Sequence, residues 1–264
     1  MLLIQNLHKT FNRDTVNENK LFQGLSLEIK DGDFITIIGS NGAGKSTLLN
    51  IISGGIQSDE GSILLNKREI SKTPEYKISR LIGRVFQDPK MGTSPSMTVL
   101  ENMSMAWNKN NRYGFSWGIE KNRIADIKDS LSKLSLGLED KLDVKVGLLS
   151  GGQRQAMALL MAAISNPCLL LLDEHMAALD PKTSEIIAGL TDKIVKECKI
   201  TTLMVTHNLK QAIGMGNRLI MMHRGKIILD IRDKDKESLT AEKLLALFSQ
   251  KESSDIISDR LMLT

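Results

Sequence analysis

The stretch Gly39-Ser40-Asn41-Gly42-Ala43-Gly44-Lys45-Ser46-Thr47 constrains this chain more than any other. It follows the apolar run FITII at 34–38 and opens into LLNII at 48–52, so a buried strand, a glycine turn and a helix start stand in the order a phosphate loop requires. Gly39, Gly42 and Gly44 allow backbone conformations closed to other residues, which lets successive N–H groups point inward at a polyphosphate. The positive end of the helix dipole lies behind them. In such a loop Lys45 reaches the β- and γ-phosphates of a nucleotide, and the Ser46 hydroxyl ligates Mg²⁺.

The chain around this loop has 264 residues and is 41% hydrophobic, enough for a substantial core in one large or two closely joined domains. Thirty-five Lys and Arg against 31 Asp and Glu give a net charge of +4, too mild to argue for a nucleic-acid partner. The N-terminal MLLIQNLHKTF lacks the basic start, apolar length and cleavage site of a secretion signal, and no run approaches the roughly 18 apolar residues that cross a bilayer. The expectation is therefore a soluble, cytoplasmic chain. Cys168 and Cys198 lie in or beside apolar segments with no metal-ligand spacing and read as reduced core residues.

In chain order, residues 2–9 and 25–30 alternate as strands do, with the polar stretch 12–20 as a loop between them. Gly54 and Gly55 end the helix that follows the phosphate loop. Residues 62–65 and 66–69 suggest a small hairpin, and 81–86 a buried strand that delivers Gln87. From 88 to 149 the period changes: 97–105 and 121–134 carry apolar residues at helical spacing, joined by a glycine- and aromatic-bearing loop at 108–118. This reads as a helical insertion. Strand character returns at 168–172 and 201–205, separated by a helix with Asp180 as N-cap and Pro181 at its first position. Such alternation argues a mainly parallel sheet. Residues 218–222 and 226–231 resemble a closing hairpin, and a last helical stretch falls at 239–248, followed by a polar end.

Two further stretches carry chemistry. The run CLLLLDE at 168–174 is a buried strand ending in two carboxylates, and ligands of open α/β sheets sit at the carboxyl ends of strands. Asp173 is placed to hold Mg²⁺ through its water shell, and Glu174 to accept a proton from, or orient, the water that attacks a γ-phosphate. The second is Ser150-Gly151-Gly152-Gln153, standing directly before a helical run at 155–164. It is again a helix tip suited to an anion. One nucleotide needs one cradle, so two cradles in one chain suggest that two chains meet head to tail, each offering its serine-led tip to the nucleotide held by the other.

GSNGAGKST, VFQDP, LLSGGQRQ, LLLLDE, AALD and VTH, in this order and spacing, closely resemble the nucleotide-binding subunit of ATP-binding-cassette (ABC) transporters over about residues 1–230. The resemblance implies an α/β fold: a phosphate-loop NTPase core of the RecA-like kind with a mainly parallel sheet, an N-terminal antiparallel β-subdomain and a helical insertion. It divides a single ATPase domain into a core with its β-subdomain (1–87 and 155–231), a helical subdomain carrying the signature (88–154), and a C-terminal helix and tail (232–264). It implies ATP and Mg²⁺ as cofactors. It also implies that Gln87 senses the metal and γ-phosphate, that Asp180 lies at a dimer seam, that His207 contacts the γ-phosphate, and that Phe11 stacks on adenine where the family more often has tyrosine. Without the resemblance Gln87 could be a turn residue, His207 a strand-end histidine and Phe11 part of the core. His8 and His223 are read as structural. The chain departs from the family at His175 and Met176, where proline and threonine or serine usually stand; His175 either tunes Glu174 or fills a loop position.

The implied activity is ATP hydrolysis that drives a membrane partner. A single cassette without fused spans suits a bacterial importer of small organic solutes such as amino acids, with an exporter or a non-transport assembly ATPase as the alternatives. The implied partners are a second cassette, as a homodimer or heterodimer, permease subunits docking on the helical subdomain with 91–107 as part of that surface, and a separate solute-binding protein, with the chain peripheral on the inner face of the plasma membrane.

Overall fold

A computed structural model of the chain describes residues 1–110, 118–248 and 250. Most of the expected 108–118 loop and the polar end of the chain lie outside the described residues. Two sheets organise the rest. The first is antiparallel, with β2 (Asn19–Ile29), β1 (Leu2–Phe11), β4 (Glu60–Leu65) and β5 (Arg68–Glu69) side by side in that order. The second holds six strands in the order β10 (Lys226–Arg232), β9 (Arg218–His223), β3 (Phe34–Gly39), β8 (Thr201–Val205), β7 (Leu169–Asp173) and β6 (Ile82–Val85), and every pairing in it is parallel except the β9–β10 hairpin at its edge.

The near-continuous apolar runs of the central strands follow from burial on both faces. In β7, Leu169 and Leu171 enter one core while Leu170 and Leu172 enter another, as the two-residue period of a strand requires. The first core is shared with the antiparallel sheet and with helix α1 (Lys45–Ile52). The second gathers α3 (Val99–Trp107), α4 (Ile124–Ser132), α5 (Gly151–Ala163) and α6 (Pro181–Cys198). A smaller third core forms where Ile38, Leu219 and Met221 meet Ala212 of α7 (Leu209–Gly214) and Leu244 of a helix at 241–248.

Several boundaries differ from the sequence reading. Strand β2 starts at Asn19 rather than 25, because Phe11 pairs with Asn19 and Thr10 with Lys20; the ladder recruits polar residues that have no strand signal of their own. The short helices α2 (Glu75–Ile78), α7 and α8 (Asp233–Glu237) were not expected, being too brief to show a helical period. Both cysteines are exposed and free, not in the core: Cys168 stands just before β7 and Cys198 closes α6, positions that fall outside the buried stretch of either element.

Candidate nucleotide site

The site assembles at the carboxyl ends of β3, β7, β8 and β6. After β3 the chain makes the glycine turn: Gly39, Gly42 and Gly44 take φ of 151°, 79° and 97°. At two of these glycines space is limiting as well. A Cβ on Gly39 would come within 2.1 Å of the Met222 carbonyl oxygen, and one on Gly44 within 2.8 Å of the Phe22 ring of β2. The antiparallel sheet thus presses on the loop from behind, and Gly225 N–H donates to Ala43 O (3.1 Å) from the β9–β10 turn. Ser40 Oγ lies 3.4 Å from His223 Nδ1, so His223 touches the loop although its sequence surroundings carried no sign of it.

Lys45, 5% exposed, donates to the carbonyls of Gly39 (2.9 Å) and Ser40 (3.0 Å). An ammonium has three N–H groups, so one remains for a phosphate. Burial pushes the Lys45 pKa below the ordinary lysine value, against a smaller upward pull from Glu174 and Asp173. Asn41 and Gly42 are exposed at the tip of the turn, Ala43 is buried beneath it, and Thr47 is half-buried behind Ser46 on α1.

Two strands away, β7 delivers Asp173, whose Oδ1 accepts from the Ser46 hydroxyl at 3.0 Å. An oxygen-only pair of this kind fits a hard cation such as Mg²⁺, which takes one or two protein oxygens and completes its shell with phosphate and water. No cluster of three or more His, Cys, Asp or Glu able to hold a metal occurs among the described residues. Glu174 takes φ +47°, a left-handed conformation uncommon for a side chain of its size, and its N–H donates to Val205 O (3.0 Å). Its Oε1 lies 2.5 Å from Nε2 of His207, which follows β8 and is exposed on its outer side. Gln87 is exposed beyond the end of β6, just before a single turn of 3₁₀ helix, Pro89–Met91, capped by Asp88.

The structure separates His175 from the chemistry. Its ring is 2% exposed, and Nε2 meets Thr191 Oγ1 of α6 at 3.0 Å. Because that hydroxyl donates to Ile187 O (2.8 Å), His175 Nε2 must be the donor of the pair. Burial holds its pKa down at about 4. At neutral pH it is therefore not a charge beside Glu174.

The signature tip stands on α5. Ser150 Oγ accepts from Gln153 N–H and the Gln153 side chain accepts from Ser150 N–H, both at 3.2 Å, a reciprocal cap. Gln153 Nε2 also donates to Leu136 O (3.1 Å), so this amide holds the tip in place and leaves the Ser150 hydroxyl proton directed elsewhere. Gly151 and Gly152 lie where α6 approaches: a Cβ on Gly152 would meet Thr183 Cγ2 at 2.3 Å. Asp180 is the N-cap of α6, accepting from Thr183 N–H at 3.0 Å. Phe11 ends β1, half-buried against the first core, with Lys9 Nζ 5.4 Å from its ring centre.

Arg84 escaped the sequence reading. It lies in β6, and Nη2 is 3.4 Å from Asp173 Oδ2. A lone arginine inside the run LIGRVF was the available signal, since a charge in a buried strand needs a partner.

A glycine-turn lysine, an acidic strand end and a glutamate–histidine contact on a parallel sheet define a phosphate-loop ATPase. The family model for ABC transporters matches residues 22–177. The chain is 52% identical over 248 residues to a tyrosine transport ATP-binding protein of Clostridioides difficile, covering 94% of this chain and 98% of that protein. It is 31% identical over 243 residues to a phosphonates import ATP-binding protein of Oceanobacillus iheyensis, covering 87% and 89%. Among solved structures, a dimeric ATP-binding cassette in a post-hydrolysis state bound to ADP and Pi superposes with a TM-score of 0.75 at 30% identity, covering 88% of this chain and 98% of that one. The chain belongs to the ABC transporter family, as an ATP-binding, ATP-hydrolysing cassette whose turnover is coupled to transport.

Proposed function

We propose that this chain is the energy-coupling subunit of a bacterial importer of small organic solutes, amino acids in particular. The likeness to a protein named for tyrosine transport, with nearly full coverage of both chains, supports that cargo class, and the phosphonates import relative supports the direction. Two cassettes close around two ATP molecules. The residues at 88–154 act as a helical subdomain that docks on permease subunits at the inner face of the plasma membrane, and a separate solute-binding protein supplies the cargo. No helix of the described residues is long and apolar enough to cross a membrane, which suits a peripheral subunit.

The observation that carries the mechanism is the meeting of four strand ends, with Ser46 on Asp173 and Glu174 on His207. Phe11 stacks on adenine, and the N–H groups of residues 39–47 with the third Lys45 proton bind the phosphates. Ser46, Asp173 and Gln87 would hold Mg²⁺, which when bound would supply charge neutralisation for the transferring phosphoryl group. Glu174 takes the proton of the attacking water while His207 fixes the carboxylate and contacts the γ-phosphate. Ser150, Gly151, Gly152 and Gln153 of the second cassette cover the nucleotide from the other side, with Asp180 at the seam.

Glu174→Gln keeps the shape of the side chain and removes its basicity. Hydrolysis should fall at least about 100-fold. With saturating ATP the variant should run as a dimer in light scattering. A folded, ATP-loaded variant that stays monomeric would end the two-cassette reading.

A further inference from the structure

Arg84 meets three groups at once. Nη2 faces Asp173 Oδ2 at 3.4 Å, Nη1 donates to Ser53 Oγ (3.0 Å) at the end of α1, and the guanidinium lies over the Phe86 ring, 4.5 Å from its centre. Both charged side chains are only 14% exposed. Strands β6 and β7 run parallel with Arg84 opposite Leu171, so the arginine reaches along the sheet toward the carboxyl end, where Asp173 sits.

The two oxygens of Asp173 are thereby given different tasks: Oδ1 takes the Ser46 hydroxyl and Oδ2 faces Arg84. A carboxylate turns easily about its last bond, and partners on both oxygens stop it. Only a planar fork can hold a carboxylate and a hydroxyl while lying on an aromatic ring; the point charge of lysine cannot. We propose that Arg84 is a positioning residue for the metal–nucleotide complex, fixing Asp173 with Oδ1 toward the cation before nucleotide arrives. This rests on the reading of Ser46 and Asp173 given above. The guanidinium charge also repels a cation, so two effects of opposite sign compete. Orientation wins, because Mg²⁺ in such sites is held chiefly by phosphate and water and asks the protein carboxylate for geometry.

The test uses the full chain with Arg84→Met, which keeps bulk without charge, and Arg84→Lys. Binding of trinitrophenyl-ATP is measured in EDTA and then as Mg²⁺ is titrated, with ATP hydrolysis followed over the same Mg²⁺ range. Arg84→Met should bind the nucleotide in EDTA within about twofold of the parent, and its half-saturating Mg²⁺ should rise about tenfold in both readouts, the loss expected for one charge-assisted contact. Maximal hydrolysis at saturating Mg²⁺ should stay within about threefold, and Arg84→Lys should fall between. Superimposable Mg²⁺ curves, tighter Mg²⁺, or an equal loss of EDTA binding would each overturn the proposal. If Arg84→Met does not fold by circular dichroism, Arg84→Lys decides alone: a parental Mg²⁺ curve overturns it. A parent protein whose nucleotide affinity ignores Mg²⁺ would instead overturn the reading of Ser46 and Asp173.

Discussion

Glu174 owes its position to its neighbours on both sides. A glutamate at φ +47° costs about 1 kcal/mol or more relative to an extended one, so the turn needs external support. The Val205 carbonyl supplies one anchor and the buried His175–Thr191 hydrogen bond another. The second anchor makes stability depend on pH. The folded His175 resists protonation down to about 4, whereas in an unfolded chain the ring takes a proton near 6.5. Between those values the unfolded state binds more protons, so this contribution is fully present above pH 6.5 and is lost as pH falls toward 4. His175→Gln keeps a donor for Thr191 and removes the titration. Relative to the variant, the parent should lose about 2 kcal/mol of unfolding free energy on going from pH 7.5 to pH 5, measured by urea denaturation. Parallel losses in the two proteins would remove His175 from the pH response.

At the scale of elements, the signature helix α5 and helix α6 are fitted to each other at their N-termini. Gly152 leaves space for Thr183 Cγ2, a methyl borne directly on Cβ and so close to the backbone of α6. Gly152→Ala should therefore destabilise the protein by about 1–3 kcal/mol through overpacking, despite the better helix propensity of alanine. Thr183→Ser removes the clashing methyl, and the double variant should regain most of the loss in thermal melts. Additive melting shifts would show that the two helices are not in register here. The contact also brings Asp180, which caps α6 through the Thr183 N–H, close to the helix led by Ser150.

For the molecule as a whole, the sheet divides labour between its faces. One face, with α1 and the antiparallel sheet, holds the nucleotide turn; the other carries the helices of the second core, and there Met105 on α3, with Met91 and Leu148 closing single 3₁₀ turns, is exposed, the three being 56%, 69% and 78% accessible. Exposed methionines are adaptable contact residues, and α3 presents Met105 outward while Val99, Met103 and Ala106 face the core. Met91→Glu with Met105→Glu should uncouple transport in reconstituted vesicles by about tenfold or more, while hydrolysis by the isolated cassette stays within about twofold. Loss of hydrolysis in the isolated protein would place these residues in the cassette's own machinery.

The sequence by itself determined the parts whose physics is local or strongly periodic. The glycine turn with Lys45 and Ser46, the apolar strand ending in Asp173 and Glu174, the serine-led helix tip and the N-cap at Asp180 were all legible, because each depends on residue types at short fixed spacing. So was a mainly parallel sheet, from the alternation of strand and helix along the second half of the chain. Tertiary structure alone decided what those residues meet: Ser46 on Asp173 across 127 positions, Arg84 on Asp173 across 89 and His223 on Ser40 across 183. It also turned His175 inward to Thr191 and extended β2 through polar residues, since a buried partner or a neighbouring strand overrides what a side chain favours alone. Such contacts depend on which strands lie adjacent in the sheet, an order set by packing rather than by any short run of the chain.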